Sequence, residues 1–210
     1  MKHQSQTKAS PDLRKKNADP NPFKQFDRWF QEAGMTIPIL PEAMALATVD
    51  KDGKPSVRTV LLKHFDERGF VFYTNYESRK GKELAENPNA ALIFYWGELR
   101  RQICVTGTVS KVSRQESKAY FRTRDRGSQI AALASKQSQI ISSRKVLEDR
   151  FEQLTAECEG KEVPLPSNWG GYRLSPTTIE FWQNRPDRLH DRLLYTRQAD
   201  GKWQIERLSP

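Results

Sequence analysis

A chain of 210 residues that is 36% hydrophobic and 29% charged is long enough for one domain of ordinary size. It has no apolar run near the roughly 18–20 residues of a membrane helix, so no membrane partner is expected. The formal net charge is +9; Lys2, Lys8, Arg14, Lys15 and Lys16 against Asp12 and Asp19 put three of those charges in residues 1–20, and the rest belong to the body. A basic body suits nucleic acid, an acidic surface or phosphorylated small molecules; a long basic helix or a known binding module would favour the first, and neither is evident.

Residues 1–19 are polar and aperiodic, and read as a flexible tail ahead of a single domain over 20–210. The tail has no apolar core, so no secretory signal is expected. Cys104 and Cys158 then read as free thiols in a reducing, cytoplasmic compartment.

Asp19-Pro20-Asn21-Pro22 supplies a cap and prolines for a first turn, and Phe23, Phe26, Trp29 and Phe30 follow at helical spacing, which predicts an amphipathic helix over 22–33. Strands are predicted over 43–50 and 56–65, joined through Asp52-Gly53, and over 70–75 after a turn at Asp66–Gly69. A helix over 78–87, strands over 90–97 and 100–112, and helices over 114–124, 128–135 and 143–159 come next. Strands near 170–175, 178–183, 189–197 and 202–207 close the chain. Strands that meander without alternating with helices predict an antiparallel α+β fold, a barrel or sandwich decorated by helices. No GxGxxG or GxxxxGK[ST] loop is present, so a phosphate must be held another way.

The histidines at 3, 64 and 190 are scattered, and neither HExxH nor CxxC occurs, so no metal site is expected. GxSxG is absent as well. Three clusters point instead to anions. In Arg58–Lys80, cations flank an apolar run and recur as Ser78-Arg79-Lys80 at a helix start, where the macrodipole disfavours them and a phosphate would reverse the sign. Screened, exposed side chains are the plainer explanation of that pair taken alone. Tyr120 and Arg124 lie one helical turn apart, with Ser128 where the next helix begins; a corner with solvated arginines explains them about as well. The polar break Ser135-Lys136-Gln137-Ser138 adds donors. Arg188, His190 and Arg192 alternate at period two, so a strand would project all three from one face, where they repel unless an anionic or π-rich ligand lies across them.

In this order the clusters resemble the pyridoxamine phosphate oxidase family. The matching pieces are RTVLLK (58–63), FYTNYESRK (72–80), RRQ (100–102), YFRTR…SQI (120–130), SKQS (135–138), PLPSNWGGYR (164–173), FWQ…RLHDR (181–192) and the closing ERLSP. The resemblance implies an FMN-binding split β-barrel, a homodimer with flavin sites at the subunit interface, and oxidation of pyridoxamine or pyridoxine phosphate to pyridoxal phosphate by dioxygen. It implies that Arg58, Thr59, Val60, Leu61, Leu62 and Lys63 run alongside the flavin with Arg58 on its phosphate, and that Tyr73, Thr74, Arg79 and Lys80 continue that site. Gln102, Gln137, Ser138, Trp182 and Arg192 complete the flavin pocket by the same resemblance. Lys63, Tyr120, Arg124 and Ser128 take the substrate phosphate, and Arg188 and His190 lie over the pyridine ring as the catalytic pair. Since a regular strand turns Arg58 and Lys63 to opposite sides, two anions are expected, one for each.

The sequence departs from the family in four places. An MRxxY-like lid pattern is missing from residues 1–18, Asp125 stands where the family usually has Pro, Ala131 where it has Gly, and Asn184 where it has Gly. The rival readings are a split-barrel flavin or haem protein without oxidase activity, against which the substrate set speaks, and a basic nucleic-acid binder, which predicts steep salt dependence. No nucleic-acid partner is expected.

Overall fold

The structure is a computed structural model and describes residues 13–210. The elements in order are α1 (Pro22–Thr36), β1 (Ala43–Val49), β2 (Pro55–Leu61), β3 (His64–Asp66), β4 (Gly69–Asn75), α2 (Arg79–Glu86), β5 (Asn89–Trp96) and β6 (Arg101–Lys111). They continue as α3 (Arg114–Thr123), α4 (Arg126–Ala134), α5 (Arg144–Glu157), β7 (Trp169–Gln183), β8 (Asp191–Arg197) and β9 (Trp203–Arg207). The strands hydrogen-bond in the order β2-β1-β5-β6-β7-β4-β3, with β8 on β7 and β9 on β8. The hairpins β1–β2, β3–β4 and β8–β9 and the pairs β4–β7 and β7–β8 are antiparallel, as the α+β reading expects.

The chain divides into two compact units, where the sequence reading expects one domain over 20–210: Ala43–Leu92 with Thr106–Pro176, and Ile93–Val105 with Thr177–Pro210 and the residues up to Glu42. In the latter, Asn21 caps α1 by accepting from Phe23 N at 2.9 Å. The aromatic spacing then delivers Phe26 and Trp29 to the core, edge-on to Phe94 and Phe181 with centroids 5.2 and 5.3 Å away. Each such ring contributes about 1.5–3 kcal/mol by leaving water. The buried Arg101 guanidinium is matched by Glu32 at 2.5 Å, Gln183 at 2.9 Å and the Trp29 ring, so its charge is not stranded. The expected tail is corrected at its end: Leu13 is buried, Arg207 donates to its carbonyl, and Tyr195 donates to the carbonyl of Asp19. Residues 1–12 of that tail lie outside the described residues, as does most of the stretch expected to lack a lid pattern.

In the other unit, Asp50 Oδ1 accepts from the backbone of Asp52 and Lys54 at 2.9 Å each and closes the β1–β2 turn, with Gly53 at φ 79. The strand predicted over 56–65 is broken. β2 stops at Leu61, Leu62 is buried, and Lys63 N donates to Val71 O at 2.9 Å before β3 begins. Phe121, Ile130, Leu154, Cys158, Val163 and Trp169 form the core under α3, α4 and α5. In β7, Gly170 and Gly171 lie opposite Thr74 and Tyr73. A Cβ on Gly170 would come within 2.1 Å of the Tyr76 hydroxyl, and one on Gly171 within 2.8 Å of the Tyr73 ring.

The two strands expected over 170–175 and 178–183 are one strand, β7. Pro176 sits where β7 changes partner: pairing with β4 ends at Leu174 and pairing with β8 starts at Thr178, so on that edge no ladder donor is missed.

Candidate functional site

A cleft of 520 Å³ opens in the unit that holds Ala43–Leu92 and Thr106–Pro176. One wall is Thr59, Val60 and Leu61 of β2 with Lys63 just beyond; a second is Tyr73 and Thr74 of β4 with Lys80 of α2. The third is the α3–α4 corner, with Tyr120, Thr123, Arg124, Asp125 and Ser128, and Gln137 and Trp169 complete the lining. Eleven of the residues drawn from the resemblance thus share one concavity, which adjoins a helix start.

Lys80 is buried, and its ammonium donates to Gln137 Oε1 at 2.9 Å and Thr74 Oγ1 at 3.2 Å, while Thr74 also donates to Gln137 at 2.9 Å. Burial, and then the charge of Arg58, bring its pKa down to about 8. Lys80 therefore holds a proton at neutral pH at some cost, which an anion would offset.

Tyr73 and Tyr120 stack with centroids 3.9 Å apart, and Trp169 lies nearly parallel to both rings. Burial pushes the Tyr73 hydroxyl up to about 12, so it serves as a neutral donor. Arg124 places its guanidinium 4.8 Å from the Trp169 centroid. Its Nη1 is buried and has no hydrogen-bond partner among the described residues. A buried cationic N–H without an acceptor is costly, and a phosphate or carboxylate in the cleft is the partner that fits it. Asp125, the departure from the family's proline, caps α4: its Oδ1 accepts from Ser128 N at 2.7 Å. Hydrogen bonds from Ser128 hold its carboxyl below the usual range.

Arg58 and Arg79 are placed differently from the expectation. Neither lines the cleft. Arg58 Nη2 lies 3.1 Å from Glu83 Oε2 and its Nη1 reaches Thr48 Oγ1 and Leu46 O, while Arg79 Nε meets Glu83 Oε1 at 2.8 Å. The cations that looked misplaced in sequence thus have a carboxylate between them. Leu62 is buried away from the cleft, and Ser138, at φ 71, is exposed and lines a separate cavity formed with α5.

Gln102, Trp182, Arg188, His190 and Arg192 belong to the other unit. Arg188, His190 and Arg192 do not share a strand face as their alternation predicts. Pro186–Arg188 form a single 3-10 turn with Asp187 and Arg188 at φ 54 and 60, and β8 starts only at Asp191. The loop is fixed by Asp191, which bridges Arg185 Nε at 2.6 Å and Arg207 Nη1 at 2.7 Å. Arg185 N donates to His190 Nδ1 at 3.1 Å, so the neutral imidazole carries its hydrogen on Nε2. The ring lies 4.6 Å from that of Trp182. Arg188 is exposed, whereas Arg192 is clamped by both oxygens of Glu180 at 2.7 and 3.0 Å. Gln102 Nε2 donates to Cys104 Sγ at 3.3 Å.

Glu83, Trp169 and Asp125 are the contributors that sequence reasoning missed. Glu83 carried a signal, since it stands four residues after Arg79 on one helix face.

The model of a family described as pyridoxamine 5'-phosphate oxidase matches residues 32–158, and one described as the pyridoxine 5'-phosphate oxidase C-terminal dimerisation region matches 169–210. The chain is 57% identical over 192 residues to a pyridoxine/pyridoxamine 5'-phosphate oxidase of Trichormus variabilis, covering 91% of this chain and 90% of that one. It is 58% identical over 194 residues to the protein of that name from Paraburkholderia phymatum, covering 92% and 91%. Among solved structures, PhzG from Burkholderia lata 383, in complex with tetrahydrophenazine-1-carboxylic acid, superposes with a TM-score of 0.88 at 33% identity, covering 93% of this chain and 95% of that one.

Proposed function

Because the chain belongs to the pyridoxamine 5'-phosphate oxidase family, with its split-barrel fold and FMN as cofactor, we propose that it oxidises pyridoxamine or pyridoxine 5'-phosphate to pyridoxal 5'-phosphate. Dioxygen is the acceptor: the alcohol yields aldehyde and hydrogen peroxide, and the amine consumes one water as well and releases ammonia. FMN, when bound, supplies the two-electron acceptor for the substrate carbon and passes the electrons to oxygen. The active form is a homodimer, in which Gln102, Trp182, Arg188, His190 and Arg192 of one protomer serve a flavin held by the cleft of its partner; the match to a dimerisation region supports this. The two free thiols fit the cytoplasm.

The observation that carries the reading is the buried, unpartnered Arg124 Nη1 in a cleft shared with Lys63, Tyr120 and Ser128. These four hold the substrate phosphate, and binding energy far from the reacting carbon goes into alignment. Thr59–Leu61, Tyr73, Thr74, Lys80 and Gln137 hold the flavin, and Arg58 and Arg79, which meet Glu83 beside Lys80 without lining the cleft, serve its phosphate from the start of α2. Arg188 orients the substrate alcohol or amine, and His190 donates to the substrate from Nε2, its other nitrogen being occupied by Arg185 N.

A flavin spectrum of the purified protein, followed by addition of pyridoxamine phosphate, tests the reading. Bound flavin and released peroxide are expected. No flavin spectrum even after FMN is added would refute it, and flavin without peroxide would favour a split-barrel flavoprotein of another kind. A second reading follows from the likeness to PhzG: oxidation of a reduced tricyclic carboxylic acid. The phosphate set favours the phosphorylated substrate, and turnover of the tricyclic acid alone would reverse that choice.

A further inference from the structure

Glu83 lies on α2 with 6% of its side chain exposed, and both its oxygens are taken. Oε2 accepts from Thr48 at 2.5 Å and Ser56 at 2.6 Å and lies 3.1 Å from Arg58 Nη2; Oε1 accepts from Arg79 Nε at 2.8 Å. Arg58, Arg79 and Lys80 thus gather three positive charges at the start of α2 against one carboxylate, which leaves two, the complement of a phosphate dianion. Without the carboxylate, the helix dipole and mutual repulsion would both act against these cations.

We propose that Glu83 is a resident counter-anion of the FMN phosphate site: it holds Arg58 and Arg79 while the site lacks phosphate, and it offsets part of their attraction once phosphate arrives. The proposal rests on the reading of Arg58, Arg79 and Lys80 as phosphate ligands. Glu83 acts through the arginines and is a positioning residue. Two consequences share one cause. Removing its charge leaves the phosphate-free protein with three unneutralised cations, which destabilises it. The same change removes repulsion from a bound dianion, which strengthens phosphate binding. By linkage these are one free-energy difference seen from two sides.

The test compares the full-length apoprotein, Glu83→Gln and Glu83→Asp at about pH 6, below the Lys80 titration near 8. Affinities for FMN and for riboflavin, which lacks the phosphate, are read from flavin fluorescence. Unfolding temperatures are read with and without inorganic phosphate. Expected for Glu83→Gln is a rise in the FMN-to-riboflavin affinity ratio of roughly three- to thirtyfold, with a larger stabilisation by inorganic phosphate than in the parent. Glu83→Asp, whose shorter arm cannot span both arginines, gives a smaller rise and decides the matter if Glu83→Gln does not fold. A residue that merely braces the helix would lower both flavin affinities together. A ratio at or below the parent's in the folded variants overturns the proposal, as does a parent that binds riboflavin as tightly as FMN. A parent that binds neither flavin refutes the proposed function itself.

Discussion

Arg124 rests on Trp169, its guanidinium carbon 4.8 Å from the ring centroid, and its buried Nη1 meets no acceptor among the described residues. The ring gives the cation a face to lie on and leaves its N–H edge for the cleft. Arg124→Lys keeps the charge and loses the planar fork, so KM for pyridoxamine phosphate should rise by about tenfold or more, with FMN affinity unchanged. Trp169→Ala should weaken the same step and also lower stability by about 3–5 kcal/mol, read by urea unfolding. Equal losses of FMN and substrate binding in Arg124→Lys would show the residue to be misassigned.

FMN binding should weaken in alkali. The Lys80 pKa is lowered to about 8 by burial and by Arg58, and a phosphate beside the ammonium would raise it. Binding then takes up a proton, so affinity should fall as pH rises through about 8, approaching a limit of about one decade per pH unit. For the apoprotein the sign is opposite: the buried charge costs stability below pH 8, and the penalty lifts between 8 and the ordinary lysine value of 10.5. Lys80→Met should abolish the pH dependence of FMN affinity, and a persistent alkaline limb in that variant would place it elsewhere.

Acid should destabilise the chain through Glu83 and Asp66. Burial pushes the Glu83 carboxyl up, but hydrogen bonds from Ser56, Thr48, Arg79 and Arg58 outweigh it and bring the pKa down to about 2. For Asp66, burial is likewise outweighed, by Arg68 and Arg173, and the pKa is about 2. Both folded values lie below the unfolded ones of 4.5 and 3.8, so the stabilisation is complete above that range and is lost as pH falls toward 2. Unfolding temperatures from pH 6 to 2 should fall more steeply in the parent than in Glu83→Gln.

Arg188 sits on a strained turn, at φ 60 directly after Asp187 at φ 54. Its side chain is exposed, so truncation leaves no cavity. Arg188→Ala should slow turnover far more than it weakens FMN binding. Asp187→Gly should relieve the left-handed conformation and change stability by less than about 1 kcal/mol, while Asp187→Val, β-branched at that φ, should cost more. Equal effects of Arg188→Ala on turnover and FMN affinity would remove it from the substrate side.

Local chemistry was legible wherever periodicity met a turn signal. Phe23, Phe26 and Trp29 are buried as their spacing predicts, and the Asp52-Gly53 hairpin forms as expected. Sequence reading failed where a long-range partner decided the outcome. The two strands expected over 170–175 and 178–183 are one, because β7 switches partner from β4 to β8 and so continues through Pro176. The alternation of Arg188, His190 and Arg192 reads as a strand face, yet Pro186 and the turn-tolerant Asp187 carry a local signal that outweighs it. The cations at α2 suggested a missing anion, and Glu83, held by residues 25 and 35 positions away, supplies one already. Arg58 and Lys63 do face different surroundings, though because the strand ends before Leu62 and not through strand alternation.

Gly170 and Gly171 give β7 a stretch with no tolerance for side chains at all. Alanine at 171 would force its methyl to within 2.8 Å of the Tyr73 ring, which is stacked 3.9 Å from Tyr120. The displaced stack would disturb the cleft at second hand. An alanine scan would therefore score Gly171 among the positions that shape the cleft although it does not line it.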